Sequence, residues 1–66
     1  MLSARNQFQG IIKSVKLGNV MAEVVITVGP IEFVSAITRT SAESLGLKSG
    51  DEVRAVIKST EVLIDK

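Results

Sequence analysis

Apolar and polar residues alternate along most of this chain with the period of two that marks strands. Gln7 to Leu17 reads as a first strand, with Ile11, Val15 and Leu17 on one face and Lys13 interrupting that face. Gly10 stands where such a strand can bend or bulge. Gly18-Asn19 is a turn signal. Val20 to Val28 is the strongest strand: Ala22, Val24, Ile26 and Val28 form an apolar face, and Met21, Glu23, Val25 and Thr27 a mixed one. A strand of that kind is covered on both sides. Gly29-Pro30 ends it, Ile31 to Thr38 follows as a third strand, and the two read as a hairpin. Thr40 to Leu45 is expected as a short helix, with Thr40 and Glu43 spaced as a capping box and Gly46 at the left-handed position after it. Leu45 and Leu47 should plug the end of the core. After a turn at Lys48-Ser49-Gly50-Asp51, Glu52 to Lys58 reads as a fourth strand with Val53, Ala55 and Ile57 on one side. Ser59-Thr60 turns the chain, and Glu61 to Ile64 is expected as a short fifth strand.

Three strands, a short helix and two strands fit one domain over residues 1–66. The expected class is all-β: a small five-stranded OB-like barrel with one short helix between strands 3 and 4. Composition adds a second subunit to this picture. The chain has 66 residues, of which 45% are hydrophobic and only two are aromatic. A monomer of this size buries about 60% of its unfolded surface. The apolar excess therefore points to an interface between copies, by strand exchange or sheet extension that covers the apolar edges.

Cysteine and histidine are both missing. That removes disulfides, thiol nucleophiles, the commonest general base and the commonest transition-metal ligand, so neither an enzyme nor a direct metal centre is expected. A net charge of +1 with interspersed signs supplies no basic face for nucleic acid. No apolar run approaches the ~20 residues of a membrane helix. No apolar segment of a signal peptide follows Met1 to Asn6, so the expected location is cytoplasmic.

Two short clusters carry the candidate chemistry: Ser3-Ala4-Arg5-Asn6 and Lys58-Ser59-Thr60. If the fold joins the two ends, they make one pocket with two fixed positive charges, the Ser3, Ser59 and Thr60 hydroxyls, and backbone N–H groups. Such a pocket suits a small tetrahedral dianion, which needs donors on several sides and charge nearby.

Ser3-Ala4-Arg5-Asn6-Gln7, with Gly10, Val20-Met21-Ala22-Glu23-Val24, Ala36-Ile37-Thr38, Ser44-Leu45-Gly46-Leu47, Gly50 and Val56-Ile57-Lys58-Ser59-Thr60, resembles the molbindins, small molybdate-binding proteins. The same module recurs in molybdate-responsive regulators and transporter ATPases. The resemblance covers nearly the whole chain. It implies molybdate or tungstate as bound ligand, held by Ser3, Arg5, Lys58 and Ser59 with backbone N–H groups around Ala4 and Asn6. It also implies contributions from Thr38 and Ser41 beside the short helix, whose N-terminal N–H groups attract anions. It implies intracellular storage of molybdenum and a hexamer built as a trimer of dimers. A second kind of oxyanion site is expected near the turn at Asn19 and Val20. Because one small plugged barrel has no cavity, each pocket is expected to span two chains, with Arg5 and Lys58 from one and Thr38 and Ser41 from its neighbour. The rival readings are an OB-like nucleic-acid-binding domain and a purely oligomerising interaction module. The first would use stacking aromatics and a basic groove.

Overall fold

The computed structural model describes residues 4–66. Four strands form one antiparallel sheet: β1 (Asn6–Leu17), β2 (Met21–Val28), β3 (Ile31–Thr38) and β4 (Glu52–Ile57), in the order β3-β2-β1-β4. Helix α1 (Arg39–Ser44) joins β3 to β4, and one turn of 3-10 helix, Ser59–Glu61, follows β4. The β2–β3 hairpin is the expected one: Val28 pairs with Ile31 across Gly29-Pro30, and Gly29 has φ 56°. A residue with a side chain rarely adopts that angle.

β1 is shared between two partners. Ile11 to Leu17 pair with β2, and Asn6 to Ile11 pair with β4. Between Ile12 and Ser14 the register shifts, so Lys13 is one residue extra in β1. This bulge corrects the expected face of β1. Ile12 is buried at 1% exposure and Ile11 is 49% exposed, because alternation restarts at the bulge. Ile12 and Val15 both face the core although three positions apart. The loop before β4 clamps the bulge. Ile12 N–H donates to Asp51 O (2.9 Å), Gly50 N–H to Ile12 O (2.8 Å) and Ser49 Oγ to Lys13 O (3.0 Å).

Gly10 lies at the crossing from one partner to the other and is buried. An added Cβ there would sit 2.6 Å from Thr27 O, 2.8 Å from Val28 Cγ2 and 2.9 Å from Ile26 Cγ2. Only glycine lets β1 pass this close to β2. The core is Ile12, Val24, Ile26 and Ala55, with Val15, Val28, Phe33, Ile37, Leu47 and Val53 packed on it. Phe8 and Phe33 stack with centroids 5.3 Å apart, a favourable aromatic spacing.

The helix begins one step earlier than its spacing suggests. Thr38 is the N-cap, with extended backbone and a side chain that accepts from Ser41 N–H, and Thr40 lies inside α1. The C-terminal end is as expected. Gly46 has φ 62°, its N–H donates to Glu43 O (3.0 Å), and Leu47 N–H donates to Ala42 O (3.2 Å). This pair of bonds is a Schellman motif. Leu47 does pack on the core, but Leu45 is 70% exposed and plugs nothing.

The expected fifth strand and closed barrel are not formed within one chain. Glu61 N–H donates to Lys58 O (2.8 Å) and Val62 N–H to Ser59 O (3.3 Å), which coils the start of that segment. Val62, Leu63 and Ile64 carry no ladder and are 52%, 91% and 92% exposed. With no strand between them, β3 and β4 remain the two edges of an open sheet. A cleft of about 910 Å³ lies beside β4, lined by Gln7, Leu45, Leu47, Val53 and Val56 among others. The chain exposes 5464 Å², roughly 1,400 Å² more than expected for a folded monomer of its mass. Met21, Val34 and Leu17 are among the large apolar residues left in contact with solvent.

Candidate oxyanion-binding site

The first residues of β1 and the last of β4 meet. Asn6 and Ile57 form the last rung between β1 and β4, and Asn6 Nδ2 donates to Ile57 O (3.3 Å). Arg5 and Lys58 are the next residues beyond that rung, one on each strand, and both are exposed. Neither has an acidic partner among the described residues. The ion pairs there are Lys13–Glu32 (2.7 Å) and Arg39–Glu43 (3.5 Å). Like charges at neighbouring positions across a strand pair repel, and Glu61 in the 3-10 turn after Lys58 forms no ion pair with either among the described residues. Ser59 and Thr60 follow at once in the 3-10 turn, both exposed. Ala4 is half-buried, and its carbonyl accepts from Gln7 Nε2 (2.8 Å). Ser3 lies outside the described residues.

Thr38 and Ser41 form a second group. Thr38 Oγ1 accepts from Ser41 N–H (3.1 Å) and donates to Ser41 Oγ (2.8 Å). Thr38 pairs with Met21 at the far end of β2. Arg39 ties this corner to the β1–β2 turn: its N–H donates to Val20 O (2.7 Å) and its Nη1 to Gly18 O (3.2 Å). Val20 itself is 72% exposed. The two groups lie at opposite ends of the 12-residue β1, Arg5 and Lys58 beyond Asn6 and Thr38 beside the β2 residue Met21, next to the Leu17–Ala22 rung. No hydrogen bond joins them among the described residues. One chain thus gathers Ala4, Arg5, Asn6, Lys58, Ser59 and Thr60, and holds Thr38 and Ser41 apart.

Two residues here were given no role in the site by sequence reasoning, although Gln7 closes the Ser3 to Gln7 motif. Arg54 Nη1 donates to Gln7 Oε1 (3.0 Å), and Gln7 passes a bond on to Ala4 O. Arg54 reads in sequence as part of a solvated face. Its partner is 47 positions away, and only the β1–β4 register brings them together.

Residues 2–64 match the TOBE domain. The chain belongs to the TOBE-domain family. Molybdenum-pterin-binding protein 3 of Clostridium pasteurianum is 50% identical over 64 residues, 96% of this chain and 94% of that protein. A molybdate-binding protein from Sporomusa ovata has a solved structure that superposes with a TM-score of 0.94 at 38% identity, covering 100% of this chain and 98% of that one. The cytoplasmic molybdate-binding protein ModG, solved with molybdate bound, gives a TM-score of 0.84 at 44% identity over 88% of this chain and 42% of ModG. The molbindin resemblance of this TOBE domain is borne out over its full length. Among its described residues no helix is long and apolar enough to cross a membrane.

Proposed function

We propose that this protein binds molybdate, or tungstate by the same contacts, as a cytoplasmic molybdenum store rather than as an enzyme. The observation that carries the reading is the pair Arg5 and Lys58, two cations beside the last β1–β4 rung with no acidic partner among the described residues. An oxyanion between them would turn a repulsion into two charge-assisted contacts. Ser59 and Thr60 stand next in the chain to donate hydroxyl hydrogens, and Ser3, Ala4 and Asn6 would complete the donor set. The names of the relatives support molybdate as the ion.

The pocket is completed by a neighbouring chain, which brings Thr38 and Ser41. The separation of the two groups along β1 supports this division. The assembly is a hexamer made as a trimer of dimers, and Val62 to Ile64 of one chain serve as the fifth strand that closes a neighbour's barrel. The exposed surface of 5464 Å² supports it, since the roughly 1,400 Å² beyond a monomer's share exceeds the ~800 Å² per partner of a standard interface.

Calorimetric titration of the purified protein with molybdate, tungstate, sulfate and single-stranded DNA tests the reading. Saturable binding of the first two, with none of the DNA, is the expected result. Elemental analysis after growth with molybdate should find molybdenum in the protein. Tight DNA binding without molybdate binding would replace this reading with the nucleic-acid one.

A further inference from the structure

The Arg54–Gln7–Ala4 relay reaches the proposed oxyanion corner from outside it. Gln7 pairs with Val56, and Arg54 with Gln9, on the paired strands β1 and β4. The Gln7 side chain is held at both ends: its Oε1 accepts from Arg54 Nη1 at 3.0 Å, and its Nε2 donates to Ala4 O at 2.8 Å. The guanidinium has no acceptor capacity, so it fixes which way the Gln7 amide points. That leaves the amide nitrogen to face Ala4. No described peptide bond is cis. The Arg5 N–H therefore points opposite to the Ala4 carbonyl in the same rigid unit. Holding the carbonyl orients that N–H and sets where the Arg5 side chain leaves the backbone. Asn6 pins the next residue to Ile57 O. The backbone is thus held on both sides of Arg5.

We propose that Gln7 and Arg54 are positioning residues for oxyanion binding, acting on the Ala4–Arg5 peptide through the Arg54–Gln7–Ala4 hydrogen bonds. The proposal rests on the reading of Arg5 as an oxyanion ligand. A solvent-exposed pair of bonds has a modest effect, but a pocket that needs several donors at once feels a small loss of order.

The test is molybdate calorimetry on four variants beside the wild type. Arg5→Ala checks the underlying site. Gln7→Met removes both bonds at unchanged charge and similar length, and should raise Kd about three- to tenfold. Arg54→Met should do the same. Arg54→Lys should recover only part of the loss, because a lysine keeps the charge without the planar fork. Light scattering and thermal unfolding of Gln7→Met should match the wild type, while amide hydrogen exchange at Arg5 should quicken. Wild-type affinity in Gln7→Met, with binding lost in Arg5→Ala, would overturn the positioning role and leave the site standing. Full recovery by Arg54→Lys with Gln7→Met unchanged would reduce Arg54 to its charge and overturn it as well. A wild type indifferent to molybdate, or Arg5→Ala binding normally, would sink the site and this role together.

Discussion

Replacing Gly10 by alanine sets two effects against each other. Gly10 is not among the positive-φ glycines, which are Gly29, Gly46 and Gly50. Alanine can therefore take its backbone angles, and the unfolded chain loses freedom, a gain of ~0.4–1 kcal/mol. Against this, the new methyl would stand 2.6 Å from the Thr27 carbonyl oxygen, 2.8 Å from Val28 Cγ2 and 2.9 Å from Ile26 Cγ2. Carbon atoms pack comfortably at ~3.5–4.0 Å, so β1 must retreat from β2 by about 1 Å. The Ile26 and Val28 side chains have some room to turn, but the Thr27 oxygen is backbone held in the β1–β2–β3 ladder. Overpacking of this kind costs ~1–3 kcal/mol, and a backbone contact places it at the upper end. The clash wins by about 1–2.5 kcal/mol, or a fall in Tm of roughly 5–15 °C for a domain this small. Scanning calorimetry of both proteins at one fixed concentration reads it, since the proposed assembly would make Tm concentration-dependent. The same retreat shifts the strand half that carries Asn6 to Ile57, so molybdate affinity should fall with stability. A Tm equal to or above the wild type would show that β1 has slack at the crossing and refute the reasoning.

Arg5→Ala or Lys58→Ala should cost on the order of 2–4 kcal/mol of oxyanion binding, with unchanged circular dichroism, because each removes a charged partner from an exposed corner. Calorimetry with unchanged affinity in both would exclude the pocket. Thr38→Val removes the acceptor for Ser41 N–H and should cost ~1 kcal/mol of stability by urea titration, besides weakening molybdate binding. Static light scattering should find an oligomer at micromolar concentration, and a monomer there would contradict the assembly. A mutant lacking Arg5 and Lys58, refolded together with one carrying Thr38→Ala and Ser41→Val, should regain part of the molybdate binding that each lacks alone. Mixed oligomers without any recovery would mean that the pocket lies in one chain or divides otherwise.

Much of the fold is written in alternation, and its failures have local causes. β2 and β4 were legible because every second position of one face is apolar, and β3 because it is a β-branched run joined to β2 at Gly29-Pro30. β1 misled over Ile11 and Ile12 because a bulge looks, in one dimension, like a polar interruption at Lys13. The helix start slipped because Thr38 and Thr40 have the same capping chemistry, and only backbone angles distinguish them. Glu61 to Ile64 has the composition of a strand but no partner within its chain, and a propensity says nothing about where the partner comes from. At the site, the meeting of Arg5 with Lys58 was legible only as a condition, that the fold joins the two clusters, and the β1–β4 register meets it. The roles of Gln7 and Arg54 were hidden because Gln7 reads only as the end of the Ser3 to Gln7 motif and Arg54 as one of several solvated basic residues. Their relation exists only once β1 and β4 are in register.

The bulge at Lys13 also decides what changes of length this strand can survive. Substitutions act on one side chain at a time, but an insertion or deletion shifts every residue beyond it by one step. Outside the Lys13-Ser14 pair, losing one residue of β1 would turn one half of the strand inside out, exchanging Ile12 for Ile11 or Val15 for Lys16. Deletion of Lys13 itself is different. Ile12 and Val15 would then bracket a single outward Ser14, and both would still point inward. What would be lost is the kink, together with the Ser49 Oγ bond to Lys13 O and the Lys13–Glu32 pair. A straightened β1 would keep its faces but no longer be steered from β2 toward β4. In this strand the spare residue is a steering device, and its removal would leave a well-patterned sheet in which the first residues of β1 and the last of β4 no longer find each other.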